Sequence, residues 1–160
     1  MPSLHLAIAV VLGLATPAVS AEIAGRASVV DGDTIEIRGQ RIRFDGIDAP
    51  EARQRCEDAS GRPYRCGKVS ADALDAFLAK SRPTTCLITG KSWDRLVGAC
   101  RRADGVDVNR WMVLQGMAID WPKYSRGKYA SDQAQAQAAM RGLWSGRFEW
   151  PCAVRGASCE

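Results

Sequence analysis

Histidine is nearly absent from this chain: the one His in 160 residues is His5, close to the amino terminus. No C-x-x-C pair occurs among the six cysteines. A zinc site would therefore have to be built from thiolates alone, without the spacing such sites favour. Lys, Arg, Asp and Glu are all missing before Glu22. That uncharged stretch is no comfortable membrane span, because its apolar run, residues 4–19, is short and charged sequence follows at once. Ala18-Val19-Ser20-Ala21 supplies small residues where a signal peptidase would cut. Residues 1–21 thus read as a signal peptide, removed after Ala21 or Ala18, with an uncleaved anchor as the alternative. Residues 22–160 hold no repeat, low-complexity tract or long linker, and read as one domain with room for a real core.

All six cysteines, Cys56, Cys66, Cys86, Cys100, Cys152 and Cys159, lie beyond the leader. An even number in an exported chain favours disulfides. Nearest neighbours are the expected pairs: Cys56–Cys66, Cys86–Cys100 and Cys152–Cys159. Bridges closing loops of about 10–15 residues contribute ~2–3 kcal/mol each when unstrained. The charged residues also fall beyond Ala21, so the domain keeps the whole +4 formal charge, which suits an anionic partner. A periplasmic or secreted protein is expected, with no stable membrane insertion once the leader is gone.

Against that basic background, acids cluster twice. Asp31-Gly32-Asp33-Thr34 comes first, then Arg43, then Asp48-Ala49-Pro50-Glu51. Carboxylates so close repel one another unless a hard cation sits among them, and hard cations take oxygen ligands. An arginine set among acids suggests that a phosphate shares the site. Together these residues read as a metal-assisted phosphodiesterase. Asp33 and Asp48 are the metal-ligand candidates, because a Ca²⁺ ion needs several oxygens at ~2.3–2.6 Å, more than one turn supplies. Pro50 restricts Ala49 to an extended conformation, which offers the Ala49 carbonyl as a third ligand. Asp31 is expected to bind backbone amides of its own Asp-Gly turn. Glu51 has no helix to cap and no lysine nearby, so it is the candidate to take a proton from an attacking water. Arg43 would face the phosphate oxygens, and Arg95 is the candidate for a second guanidinium. Trp93 and Tyr124 could stack on bases; core packing is the competing role for both.

The first half of the domain alternates like strands. Ala27-Ser28-Val29-Val30, Thr34-Ile35-Glu36-Ile37 and Arg41-Ile42-Arg43-Phe44 are predicted, with a hairpin turn at Arg38-Gly39-Gln40. Ile42 and Phe44 share one face, which points Arg43 to the other. A helix follows, with Val69, Ala73, Phe77 and Leu78 as its apolar stripe and Ser81-Arg82-Pro83 as its end. Two more strands are expected at 85–89 and 96–100. A second helix is predicted over 108–115, closed by Gly116, and a third from an N-cap at Ser131, with Asp132 in its first turn, to a stop at Gly142. Leu143, Trp144 and Phe148 read as packing residues. Five strands and three helices give an α+β fold on a barrel-like sheet, an OB-type architecture.

The order of these parts resembles the staphylococcal-nuclease-like (thermonuclease) family. The likeness rests on Asp31 through Thr34, Arg43 through Glu51, Arg95, and the run from Val108 to Ala118, and it covers about 27–144. The resemblance implies an OB-fold, Ca²⁺-dependent, sugar-nonspecific endonuclease that hydrolyses DNA and RNA and leaves 3′-phosphates. It also implies Asp33, Asp48 and the Ala49 carbonyl as calcium ligands, Glu51 as general base, and Arg43 and Arg95 as phosphate clamps. Trp93 and Tyr124 fall where the family often has aromatics that touch nucleotide. A monomer is expected. Two positions depart from the pattern: Ala49 replaces a frequent threonine, and Asp94 stands where glycine commonly precedes the second arginine.

Two rivals remain at this level. Val29-Val30-Asp31-Gly32-Asp33 is similar to the start of haloacid-dehalogenase phosphatases, but Ile35 stands where that pattern wants threonine. The other rival is a nuclease-like domain that binds nucleic acid or a partner protein without cleaving it. The survival of both carboxylate ligands, the base and both arginines favours an active enzyme.

Overall fold

The computed structural model describes residues 21–159. The leader expected at 1–21 and its cleavage therefore fall outside the described residues, apart from Ala21 itself. Among the described residues, no helix is long and apolar enough to cross a membrane.

Among the described residues there are ten strands and five α-helices. The strands are β1 (Glu22–Gly25), β2 (Ala27–Asp31), β3 (Thr34–Ile37), β4 (Gln40–Phe44), β5 (Ile47–Asp48), β6 (Cys56–Glu57), β7 (Pro63–Tyr64), β8 (Thr84–Ser92), β9 (Arg95–Arg101) and β10 (Ile119–Asp120). The helices are α1 (Cys66–Ala79), α2 (Val108–Leu114), α3 (Pro122–Ser125), α4 (Ala130–Ala138) and α5 (Pro151–Val154), with a 3₁₀ turn at Gly142–Ser145. The main sheet runs β1-β8-β9-β4-β3-β2. Its pairings are antiparallel except for β4 beside β9. This is an α+β, OB-fold-like architecture.

All five predicted strands are present, and the main sheet gains a sixth. β1 adds to its edge by pairing with β8, and the Ala21 carbonyl extends that ladder by accepting from Ile88 N–H. The β3–β4 hairpin closes through Arg38 and Gly39, both in the left-handed region (φ 53° and 77°). Such a pair twists with the strands that it joins. Ile35, Ile37, Ile42 and Phe44 are buried in one core with Leu74, Phe77, Met112 and Val113. Arg43 takes the opposite face, as its strand parity requires.

Three helix expectations need correction. In α1 the buried stripe is Cys66, Ser70, Leu74, Phe77 and Leu78; Val69 is 43% exposed. The helix begins at Cys66, where the Cys56–Cys66 bridge anchors it, and the i, i+4 row Cys66-Ser70-Leu74-Leu78 faces inward beside Val69. Ser131 is not the N-cap of α4: the helix starts at Ala130, after Tyr129. Tyr129 is buried beneath Gly46, so packing places that helix end in the absence of a side-chain cap. α4 stops at Ala138, and Met140 turns the chain into the left-handed region before Gly142 does. α2 meets its expected bounds to within one residue and is capped by Asp107, which accepts from Arg110 N–H.

The cysteines pair as nearest neighbours: Cys56–Cys66, Cys86–Cys100 and Cys152–Cys159. Cys86 and Cys100 face each other across β8 and β9. Trp144 and Phe148 pack edge-to-face beside Leu143 and Ile119.

Candidate active site

Both acidic turns are held in place by close backbone approach. A Cβ on Gly32 would fall 2.1 Å from Ser70 Oγ and 2.7 Å from Ala49 Cβ, so the first turn rests directly on α1 and on the second turn. A Cβ on Gly67 would fall 1.8 Å from the Glu51 carbonyl oxygen, so the first turn of α1 seats the backbone of Glu51. A side chain at Gly67 would have to displace main chain, and one at Gly32 would have to displace Ser70 and Ala49. β5 pairs with β10, which fixes Asp48 opposite Ile119. Buried Asn109 braces the same region, since its Nδ2 donates to the carbonyls of Asp45 (3.0 Å) and Gly98 (3.3 Å).

The side chains converge as these anchors dictate. Asp31 Oδ1 accepts from Asp33 N–H at 3.0 Å, the turn-stabilising role expected of it. Asp33 Oδ1 accepts from Thr34 Oγ1 (2.9 Å), and its Oδ2 accepts from Ala49 N–H (3.2 Å). Arg43 Nη2 lies 2.9 Å from Asp33 Oδ2 and 2.7 Å from Asp48 Oδ1. Acids from two separate turns therefore reach a single amino group. Asp48 is fully buried, and its Oδ2 has no hydrogen-bond partner. Burial pushes its pKa above the ordinary carboxylate value, against the opposing pull of Arg155 and Arg43. Burial, and then the charge of Asp33, raise Asp31 likewise.

The donor set suits a hard cation. A buried carboxylate oxygen without a partner is costly, and here it belongs to a carboxylate whose other oxygen shares the Arg43 amino group with Asp33. Among the described residues, no group of three or more His, Cys, Asp or Glu side chains is gathered to hold a metal. A cation here would rest on Asp33 and Asp48, completed by main-chain oxygen such as that of Ala49 and by water.

Two residues not singled out from the sequence belong to this site. Arg155 Nη2 donates to Asp48 Oδ1 at 2.8 Å, while its Nη1 donates to Glu51 Oε1. Burial works against the Arg155 charge, yet Glu51 and Asp48 outweigh it and hold its pKa above the ordinary guanidinium value. Trp121 is the second. Arg43 Cζ lies 5.7 Å and Arg155 Cζ 5.4 Å from its ring centroid, both within cation–π range.

Two cavities open from this point. One of about 110 Å³ is lined by Asp31, Asp33, Glu51, Arg43, Arg95 and Arg155. A larger one of about 240 Å³ carries Arg43, Arg95 and Arg155 onward to Trp93, Trp121 and Tyr124. Arg95 opens β9 and makes no ion pair among the described residues. Trp93 is 92% exposed, which removes core packing as its role, and Tyr124 is 55% exposed. The β8–β9 turn puts Trp93 itself in the left-handed region (φ 57°). The aspartate at 94 therefore meets no demand there for a glycine. The arrangement sets carboxylate oxygens, three guanidinia and aromatic faces side by side.

Comparison with known proteins agrees with this geometry. The family profile described as "Staphylococcal nuclease homologue" matches residues 41–146. The "Succinoglycan biosynthesis protein ExoI" of Rhizobium meliloti (strain 1021) is 52% identical over 134 residues, which are 83% of this chain and 70% of that protein. An "Uncharacterized endonuclease" of Escherichia coli is 33% identical over 135 residues, 81% of this chain and 82% of its own length. The "Probable staphylococcal-like nuclease CAN1" of Oryza sativa subsp. japonica is 31% identical over 115 residues, 71% of this chain and 31% of that protein.

Proposed function

The chain belongs to the staphylococcal nuclease homologue family, and on that footing we propose that it is a calcium-dependent, sugar-nonspecific endonuclease. It would work in the periplasm or outside the cell, as a monomer, cutting DNA and RNA to leave 3′-phosphates. The observation that carries this proposal is the meeting of Asp33 and Asp48 on one amino group of Arg43, beside a buried Asp48 oxygen with no partner. Two relatives bear nuclease names, which supports the reaction class.

Asp33, Asp48 and the Ala49 carbonyl would hold Ca²⁺, which supplies positive charge at a backbone phosphate when bound. Glu51 accepts a proton from the attacking water, a contribution of typically ~10²–10⁴-fold. Arg43 and Arg95 donate to the phosphate oxygens, whose negative charge grows as phosphorus becomes five-coordinate. Trp93 and Tyr124 offer stacking faces along the larger cavity, a contact that tolerates any base.

A second reading has one observation on its side. Arg155 already pairs with both Asp48 and Glu51, as it would in a domain that binds nucleic acid or a partner protein without cutting. Digestion of plasmid DNA and of RNA by the purified protein separates the two. Cleavage that stops in EGTA and returns with Ca²⁺ supports the enzyme. Binding without cleavage at any divalent ion concentration supports the silent domain, and full cleavage in chelator removes the metal.

A further inference from the structure

Arg155 lies beyond the residues that the family profile covers, yet it is built into the site. It is the C-cap residue that follows α5, and its N–H donates to the Pro151 carbonyl at 3.2 Å. The Cys152–Cys159 bridge closes the chain around it, and Cys152 is itself buried. Buried Gln54 ties this segment to the catalytic loop: its Nε2 donates to the Glu149 carbonyl at 2.7 Å, and its Oε1 accepts from Glu51 N–H at 3.1 Å. The turn that carries Arg155 is thus anchored to the loop that carries Glu51.

Charge says what a third guanidinium is for. Four carboxylates (Asp31, Asp33, Asp48, Glu51) meet three guanidinia (Arg43, Arg95, Arg155), leaving one net negative charge. A dication turns that into one net positive charge, which a single phosphodiester cancels. Without Arg155, the loaded site would be neutral before the substrate arrived. A dication on Asp48 also repels both guanidinia that share its Oδ1, Arg43 and Arg155. Arg155 lies over Trp121 and lines both cavities, so a guanidinium released from Asp48 borders the volume that a phosphate would enter.

We propose that Arg155 is a third substrate-binding arginine, which rests on Asp48 and Glu51 in the free protein and contacts a nucleic-acid phosphate once the cation has displaced it. This rests on the nuclease reading above and deepens it. The test is calorimetric titration of the wild type, Arg155→Gln and Arg155→Lys with Ca²⁺ alone, and with adenosine 3′,5′-bisphosphate in saturating Ca²⁺. Thermal melts confirm that each variant is folded, and Arg147→Gln, at an exposed pair with Glu57, serves as control.

In Arg155→Gln the two affinities move in opposite directions. The bisphosphate binds about tenfold more weakly or worse, the loss expected for a charge-assisted hydrogen bond, while Ca²⁺ alone binds more tightly because its rival is gone. Lysine restores part of the bisphosphate affinity. Bisphosphate affinity within about twofold of wild type, or a parallel fall in both affinities, overturns the proposal, the latter marking a merely structural prop. Wild-type protein that cuts neither DNA nor RNA yet shows the opposed shifts would sink the nuclease reading and leave Arg155 as a phosphate contact.

Discussion

Replacing Asp48 with asparagine separates the structural and cation-binding roles of one buried carboxylate. Its Oδ1 takes Arg43 at 2.7 Å and Arg155 at 2.8 Å, and the side chain is fully buried. Removing one partner of a buried ion pair commonly costs ~3–5 kcal/mol, because an unpaired charge stays behind. Here neither guanidinium is abandoned: Arg43 keeps Asp33 at 2.9 Å, and Arg155 keeps Glu51. The burial cost of the carboxylate is also relieved. A loss of about 1–2 kcal/mol is therefore expected, the scale of one charge-assisted hydrogen bond. For a domain of this size that lowers the melting temperature by roughly 3–8 °C. The diagnostic measurement is the melt with and without Ca²⁺. At a hundredfold excess over Kd, a ligand that binds only the folded state adds ~2.7 kcal/mol. The wild type gains that increment in Ca²⁺, and Asp48→Asn loses both the increment and cleavage. A variant that still gains the full Ca²⁺ increment, or still cuts, would show that Asp48 is not a ligand.

Three further substitutions probe the parts around it. Glu51→Gln lowers turnover by roughly two to four orders of magnitude and spares nucleic acid binding; near-normal turnover would remove Glu51 from the mechanism. Trp93→Ala changes stability by no more than about 0.5 kcal/mol, since the ring is in solvent. It weakens single-stranded DNA binding by ~1–3 kcal/mol per stacked base, and unchanged affinity in a filter or anisotropy assay would deny the ring that role. Gly67→Ala forces a methyl group onto the Glu51 carbonyl and costs about 1–3 kcal/mol in a chemical melt. It also lowers turnover by roughly a hundredfold through displacement of Glu51; full activity would mean that the loop has slack.

The strands around the acidic turns were legible because alternation between buried and exposed residues leaves a period of two, as in Ile35/Ile37 and Ile42/Phe44. The edge strand at Glu22–Gly25 was not, because Ile23 is its one large apolar residue and leaves no alternation to read. α3 and α5 span four residues each, too short for a helical period to register. Ser131 looked like a cap, but the burial of Tyr129 placed that helix end, a tertiary effect with no local code. Within the site, the acids and Arg43 stood out through clustering in 31–51. Glu51 looked unpartnered because its partner, Arg155, lies 104 residues away. The one local cue to Arg155 is its place inside the Cys152–Cys159 turn. Trp121 lacks even that; its worth comes from the two guanidinia set against its ring.

Anomalous diffraction from crystals grown with Ca²⁺ and adenosine 3′,5′-bisphosphate tests the central claim most directly. A calcium peak bound by the carboxylates of Asp33 and Asp48 and by the Ala49 carbonyl, with Arg43 turned to a phosphate, is the predicted result. A peak elsewhere on the protein, or Asp33 and Asp48 drawn apart with no ion between them, would contradict the account.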